Sequence, residues 1–465
     1  MKKNLLLSLL MLTTTMIFGQ DITGDWNGLL KVSGMQMCLV FHITKIGTDF
    51  NATMDSPDQG AKGIPMSKTT FENSALTIEM AAAKIEYSGI LKNDTVFGTF
   101  TQAGQSFPMN LSRNTIEKVE TRRPQEPLKP YPYYSEEVTF ENSKDRITLA
   151  GTLTLPKKVG KFPVVVLISG SGPQNRDEEL MGHKPFLVLS DFLTRNGIGV
   201  LRYDDRGSYA SKGNFAKATT NDFATDVAAA ISYLKTRKEI DTKYIGLIGH
   251  SEGAIIAPIV AANDKSIRFI VMMAGTAISG GDLLLLQQEA IGRASGMTED
   301  KLKETAEINA EIYKIVKASN DSASASKKMT EYLIQKMKET PTMDIPKGTT
   351  VEDISKQVIN QTTSPWMFHF IKYNPAIILE KVKCPVLAIN GDKDLQVSSK
   401  VNLPEIEKAL KEGGNNKVTV KEMAGLNHLF QDCTTGLPTE YAQIEQTMSP
   451  AALETIKNWI KETIK

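Results

Sequence analysis

Apolar positions change rhythm three times along this chain. From residue 21 to 115 they fall in short alternating stretches: GDWNGLLKV, MCLVFHITKI, LTIEM, KIEYSGIL, DTVFGTFTQ and SFPMNLSR. Turn residues separate these stretches at roughly ten-residue intervals, which predicts a small all-β accessory domain, either a sandwich or a barrel. Residues 116–135 contain TRRPQEPLKPYPYYS, rich in proline and poor in periodic apolar positions, and read as an extended linker. EVTFENSKDRITLAGTLTLP then gives two alternating strands about a polar turn at Asn142–Arg146.

From residue 162 the runs become continuous: FPVVVLISG (162–170), GIGVLRYD (197–204), KYIGLIG (243–249), IRFIVMMAG (267–275) and CPVLAINGD (384–392). Strands covered on both faces read this way, so a mostly parallel sheet is expected. Helical stretches alternate with them. In NDFATDVAAAISYLKTR (221–237) Phe223, Val227, Ile231 and Leu234 share one helical face, with Thr220 or Asn221 available as N-cap. Residues 136–465 thus predict a doubly wound α/β domain. Between Gly275 and Cys384 the alternation stops for about a hundred residues of helix-like sequence, which predicts a helical lid inserted at about 277–380.

Charge and composition narrow the functional classes. There are 54 basic and 53 acidic residues, a net charge of +1, and no basic stripe interleaved with aromatics. A nucleic-acid partner is therefore not expected. MKKNLLLSLLMLTTTMIFGQ (1–20) has two lysines, an apolar core and a polar end, the layout of a secretory signal peptide; an uncleaved anchor is the competing reading. The expectation is an exported bacterial protein, periplasmic or secreted, with no stable membrane span once the signal is removed. Cys38, Cys384 and Cys433 are too few and too far apart for a disulfide framework or a zinc site. No metal or cofactor is implied, and no oligomeric state.

The chemistry centres on YIGLIGHSEGAIIAPIV (244–260). A buried strand, then Gly249-His250-Ser251-Glu252-Gly253, then small residues suited to a helix, is the setting of a serine mounted on a sharp turn; the plain alternative is a chance glycine-rich connection. Acyl transfer by Ser251 needs a base, and the chain has five histidines. His42 lies in the β domain, His183 before a helix ahead of the serine, His250 beside it and His369 in the insertion. His428, in AGLNHLFQD after the strand-like KVTVKEM (417–423), is the one a loop at a strand end would present. An acid is offered by NGDKDLQV (390–397), where Asp394 lies further out of the strand than Asp392. The second reading for Asp392 is a turn residue bonding nearby amides. Oxyanion donors are expected from the Glu252 N–H and from the loop ISGSGPQNRDE (168–178), with Ser171 preferred and Gly172 beside it. Arg176 and Asp177 read as fixing that loop.

Residues 135 to the end resemble the α/β-hydrolase superfamily, and more narrowly its exported carboxylesterase-type branch, related to serine aminopeptidases and prolyl-oligopeptidase-like hydrolases. SGSGPQNRDE, RYDDRGSYASKG (202–213), GHSEG, CPVLAINGDKDLQV and LNHLFQ carry the likeness. It implies Ser251, Asp394 and His428 as the catalytic residues and assigns RYDDRG no catalytic role. One departure is Ser169-Gly170, where many relatives have His-Gly. At the other end of the chain, Gly24-Asp25-Trp26 is similar to the G-x-W start of lipocalin-like barrels.

The expected activity is hydrolysis of a small-molecule carboxylic ester through an acyl-enzyme. The same groups cleave amides, so a peptidase or aminopeptidase acting on short peptides is the rival, with Glu252 a candidate to grip a substrate amine. An inert hydrolase fold that only binds is the third reading. In SPWMFHFIKYNP (364–375), Trp366, Met367, Phe368 and Phe370 are candidates for the wall of the acyl pocket, Trp366 and Phe368 foremost, with Gly172 from the earlier loop; simple packing of the lid is the alternative. Cys433 reads as a spectator thiol.

Overall fold

The computed structural model describes residues 21–32, 35–57, 61–102, 105–116, 123–339 and 350–465. The signal segment expected at residues 1–20 lies outside them. The described residues fold as two compact units, one carried by the N-terminal strands and one by the chain from residue 123 onward.

The first unit is a single antiparallel sheet of β1 (Gly24–Val32), β2 (Met35–Ile46), β3 (Asp49–Ser56), β4 (Ala61–Pro65), β5 (Lys68–Glu72), β6 (Ala75–Met80), β7 (Ile85–Lys92), β8 (Thr95–Gln102), β9 (Gln105–Pro108) and β10 (Leu111–Ser112). Neighbours in sequence are mostly neighbours in the sheet, and β10 pairs with both β8 and β1, so the sheet closes on itself as a barrel. Inward positions of the alternating stretches, among them Trp26, Phe41, Leu76 and Tyr87, form one buried cluster. The Trp26 indole N–H donates to the Ile22 carbonyl at 2.7 Å. The Arg113 guanidinium lies 4.4 Å over the Trp26 ring and donates to the carbonyls of Thr23 and Asp21, tying the first and last described segments of the barrel together.

The second unit holds an eight-stranded sheet: β11 (Tyr134–Asn142), β12 (Ile147–Leu155), β13 (Phe162–Ile168), β14 (Gly199–Tyr203), β15 (Ile240–His250), β16 (Ile267–Met273), β17 (Val386–Gly391) and β18 (Val418–Met423). The order is β11-β12-β14-β13-β15-β16-β17-β18, antiparallel through β12 and parallel from β14 onward. Twelve helices accompany it among the described residues: α1 (Pro185–Arg195), α2 (Thr220–Thr236), α3 (Gly253–Asn263), α4 (Gly280–Ala294), α5 (Glu299–Ala318), α6 (Ser322–Glu339), α7 (Val351–Thr362), α8 (Pro365–Lys372), α9 (Ala376–Leu379), α10 (Ser399–Glu412), α11 (Pro438–Tyr441) and α12 (Pro450–Thr463). This is the α/β-hydrolase architecture, with α4–α9 filling the interval between β16 and β17.

Continuous apolar strands follow from the two-sided cover. Along β13, Val164 and Val166 face a cluster with Val227 and Ile231 of α2 and Ile406 of α10, while Val165 and Leu167 face Leu189 of α1 and Ile456 of α12. Helix α2 begins one residue earlier than the sequence pattern suggests. Its cap is Thr219, not Thr220 or Asn221: the Thr219 N–H and hydroxyl both donate to Asp222 at 2.8 Å.

Candidate active site

The turn after β15 forces an unusual backbone. Ser251 has φ +53°, a left-handed conformation that costs a non-glycine residue roughly 1–2 kcal/mol. Its neighbours make the conformation possible. A Cβ at Gly249 would lie 2.0 Å from the Gly253 carbonyl oxygen, and one at Gly253 would lie 2.0 Å from that of Ile168. The Ser251 N–H donates to Met273 at 2.8 Å, anchoring the turn to the neighbouring strand. Helix α3 starts immediately afterwards, so its positive N-terminal end lies at the serine.

Asp394 and His428 stand on the loops following β17 and β18. The His428 ring bonds through Nδ1 to Asp394 Oδ2 at 2.8 Å, and both side chains are buried. With Nδ1–H given to the carboxylate, the ring's lone pair lies on Nε2. Asp394 Oδ1 accepts the N–H groups of Gln396 and Val397 at 2.8 and 2.9 Å. Asp392 instead accepts the Gly425 N–H at 2.7 Å and stays exposed. Asn427 shapes the loop before the histidine by accepting the N–H groups of Leu429 and Gln431, each at 3.0 Å. Ser251 Oγ has no hydrogen-bond partner among the described residues, so no bond joins it to His428 in this state.

A cavity of about 210 Å³ opens at Ser251. Its wall includes Ser171, Glu252, Ile255, Leu283, Leu284, Trp366, Phe370 and Val397. Trp366 and Phe370 stack at 5.1 Å, because positions four apart share one face of α8. Phe368 is not in this wall, contrary to the sequence expectation. It lies on the other side of α8, packed into the insertion's own core with the Lys372 ammonium 4.8 Å over its ring. Gly172 is not in the wall either; it is a left-handed turn residue at φ +92°. A larger open groove of about 540 Å³ along α2 and α3 contains none of the candidate residues.

Glu252 is buried, and its Oε1 accepts from Thr220 Oγ1 at 2.7 Å and from Trp366 Nε1 at 2.8 Å. Burial holds its carboxyl above the ordinary range. The N–H groups of Glu252 and Ser171 donate to no protein acceptor among the described residues. The loop bearing Ser171 is fixed from behind: Arg176 grips Asp204 with two bonds of 3.0 and 2.7 Å, Asp177 pairs with Arg202, and Ser169 Oγ donates to Asp205 at 2.7 Å. RYDDRG is thus a bracing segment.

The other histidines are otherwise engaged. His183 is buried against Thr447 and the Tyr441 carbonyl, and burial pushes it down to about 4. His42 sits between Asp25 and Asp55 in the barrel, and His369 lies in α8. His250 lies against His428, its ring 4.9 Å away, and bonds to Glu178. Nothing in the sequence pattern singles out Glu178, because it is 72 residues from its partner. Of the aromatic candidates in 364–375, Trp366 and Phe370 reach the cavity wall.

The family model described as X-Pro dipeptidyl-peptidase (S15 family) matches residues 145–420. Esterase EstD of Thermotoga maritima is 28% identical over 304 residues, 64% of this chain and 62% of its own length, so the chain spans less than two thirds of that relative. A 31.7 kDa protein from the traX–finO intergenic region of Escherichia coli is 25% identical over 271 residues, 56% of this chain and 81% of its own. Among solved structures, an esterase of Pyrococcus furiosus aligns over 75% of this chain and 98% of its own at 16% identity, with a TM-score of 0.43.

Proposed function

The chain belongs to the X-Pro dipeptidyl-peptidase (S15) family, and from that premise we propose that it is a serine hydrolase cleaving esters of short carboxylic acids. Ser251 Oγ attacks the acyl carbonyl while His428 Nε2 takes its proton. Asp394 keeps the proton on Nδ1 and stabilises the imidazolium that forms. The N–H groups of Glu252 and Ser171 donate to the developing oxyanion, each such donor being worth about 10²–10³ in kcat. The alcohol leaves with the proton from His428, and water repeats the sequence to release the acid. The hydrogen bond between Ser251 and His428 forms as substrate binds, as such bonds commonly tighten only then.

The observation that carries this reading is Ser251 at φ +53° between two glycines that no larger residue could replace. The 210 Å³ cavity, small beside the roughly 300–1,000 Å³ of drug-sized pockets, supports a short acyl group. The family description supports a peptidase as the second reading. Glu252, the candidate to grip a substrate amine, is buried with Oε1 bonded to Thr220 and Trp366, which leaves Oε2 alone for such a contact. Side-by-side hydrolysis of nitrophenyl acetate and butyrate against aminoacyl and Xaa-Pro nitroanilides tests the ranking. Ester turnover should dominate, vanish in Ser251→Ala, and coincide with phosphonate labelling of Ser251. Faster amide than ester turnover overturns the esterase assignment, and full activity in Ser251→Ala overturns the mechanism.

A further inference from the structure

Next to the Ser251 turn lies a ring whose two nitrogens both face acceptors. His250 Nδ1 is 3.0 Å from Glu178 Oε1, and Nε2 is 2.9 Å from the carbonyl oxygen of His428. A carboxylate and a carbonyl have no proton to give, so a ring bonded to both must donate twice, and only the imidazolium does so. The same Glu178 oxygen accepts the Gly170 N–H at 2.8 Å, one residue before Ser171. One carboxylate and one ring therefore join the oxyanion loop, the residue preceding Ser251 and the backbone of His428.

We propose that His250 is a permanent imidazolium held by Glu178, and that this buried pair is the positioning device that sets His428 against Ser251 and the Ser171 loop. The proposal rests on the serine-hydrolase reading above. Three titratable groups surround the ring: Glu178 after β13, Asp394 after β17 and His428 after β18. Phe430, 6.3 Å away, covers the ring with apolar surface. Asp205, on the far side of Glu178, is pushed up to about 8 by burial. Burial opposes charging His250, yet the charge and hydrogen bond of Glu178 outweigh it and raise the ring above the ordinary histidine value.

Glu178→Gln keeps an oxygen for Gly170 but removes the charge that holds the imidazolium. Loosened geometry lowers kcat by about 10–100-fold with KM little changed.

The test has two arms on the full chain. In the first, ¹⁵N-histidine NMR of wild type at pH 7 should show a doubly protonated ring that persists in His42→Gln, since His42 is the other ring raised by flanking carboxylates. A neutral His250 accepting from a protonated Glu178 overturns the proposal, and this arm needs no variant of the pair to fold. In the second, Glu178→Gln should show the kcat loss with KM little changed on a short-chain nitrophenyl ester, while Glu178→Asp, which keeps the charge, should bring kcat back toward wild type. An unchanged kcat in Glu178→Gln, or a loss that Glu178→Asp does not reduce, overturns the proposal, because a shorter side chain would not repair a packing defect. Phosphonate labelling of wild-type Ser251 keeps the two readings apart: its absence defeats the hydrolase mechanism and leaves the charge state of His250 standing on the NMR.

Discussion

Replacing Asp394 by Asn isolates the electrostatic part of the proposed mechanism. The carboxylate bonds to His428 Nδ1 at 2.8 Å inside buried surroundings, and a full positive charge develops on that ring only during reaction. With charge centres about 4 Å apart and an effective dielectric near 20, the carboxylate stabilises the imidazolium by about 4 kcal/mol. That corresponds to about three powers of ten in rate. The loop itself should survive, since an Asn oxygen can still accept the N–H groups of Gln396 and Val397. The expected result is a kcat about 10³ lower on nitrophenyl butyrate, with the thermal midpoint shifted by only a few degrees. Asp392→Asn is the matched control. That side chain serves only the Gly425 N–H from an exposed position, so its rate should stay within about twofold of wild type. A loss under tenfold in a folded Asp394→Asn protein, or an equal loss in Asp392→Asn, would falsify the assignment of the acid.

Two further expectations follow from burial. His183 is neutral in the fold at about 4, against about 6.5 when unfolded, so the unfolded chain binds the extra proton as pH falls. Its contribution is fully present above about 6.5 and shrinks toward pH 4, a loss of about 3 kcal/mol. Urea midpoints at pH 7 and pH 4.5 measure it, and His183→Gln should flatten the dependence; an equally steep fall in that variant counts against this origin. Trp366→Ala removes one wall of the cavity and the indole N–H that bonds Glu252. The ratio of octanoate to butyrate kcat/KM should rise by about tenfold, and an unchanged ratio would mean that the acyl chain lies elsewhere.

What the chain discloses about itself depends on how local each constraint is. Strands β13 to β17 were readable because a strand covered on both faces must be apolar at every position, and short unbroken apolar runs between turn residues suit little else. Closure of the N-terminal sheet was not: β10 has two residues, and its pairing with β1 joins Asn27 to Ser112, a relation no local pattern carries. Helix α2 shifted by one because Thr219, Thr220 and Asn221 can all cap, and only the return bond to Asp222 decides among them. Phe368 and Phe370 differ by two positions on one short helix, so choosing between them requires knowing which face of α8 meets the serine.

The same distinction separates the parts of the candidate site. A nucleophile turn imposes its demands on adjacent residues, so Gly249 and Gly253 advertise Ser251 within a pentapeptide. An acid and a base need only arrive at strand ends, and chain order narrows them to a few residues. The groups that hold those parts together answer to no local rule. Glu178 sits in an ordinary acidic run, yet its one oxygen serves both Gly170 and His250, and through His250 the backbone of His428. Each of those three contacts buries a polar group that would be costly unpaired, so none can be traded away singly. Chemistry at this site is therefore written locally, and its alignment is written across the whole second unit.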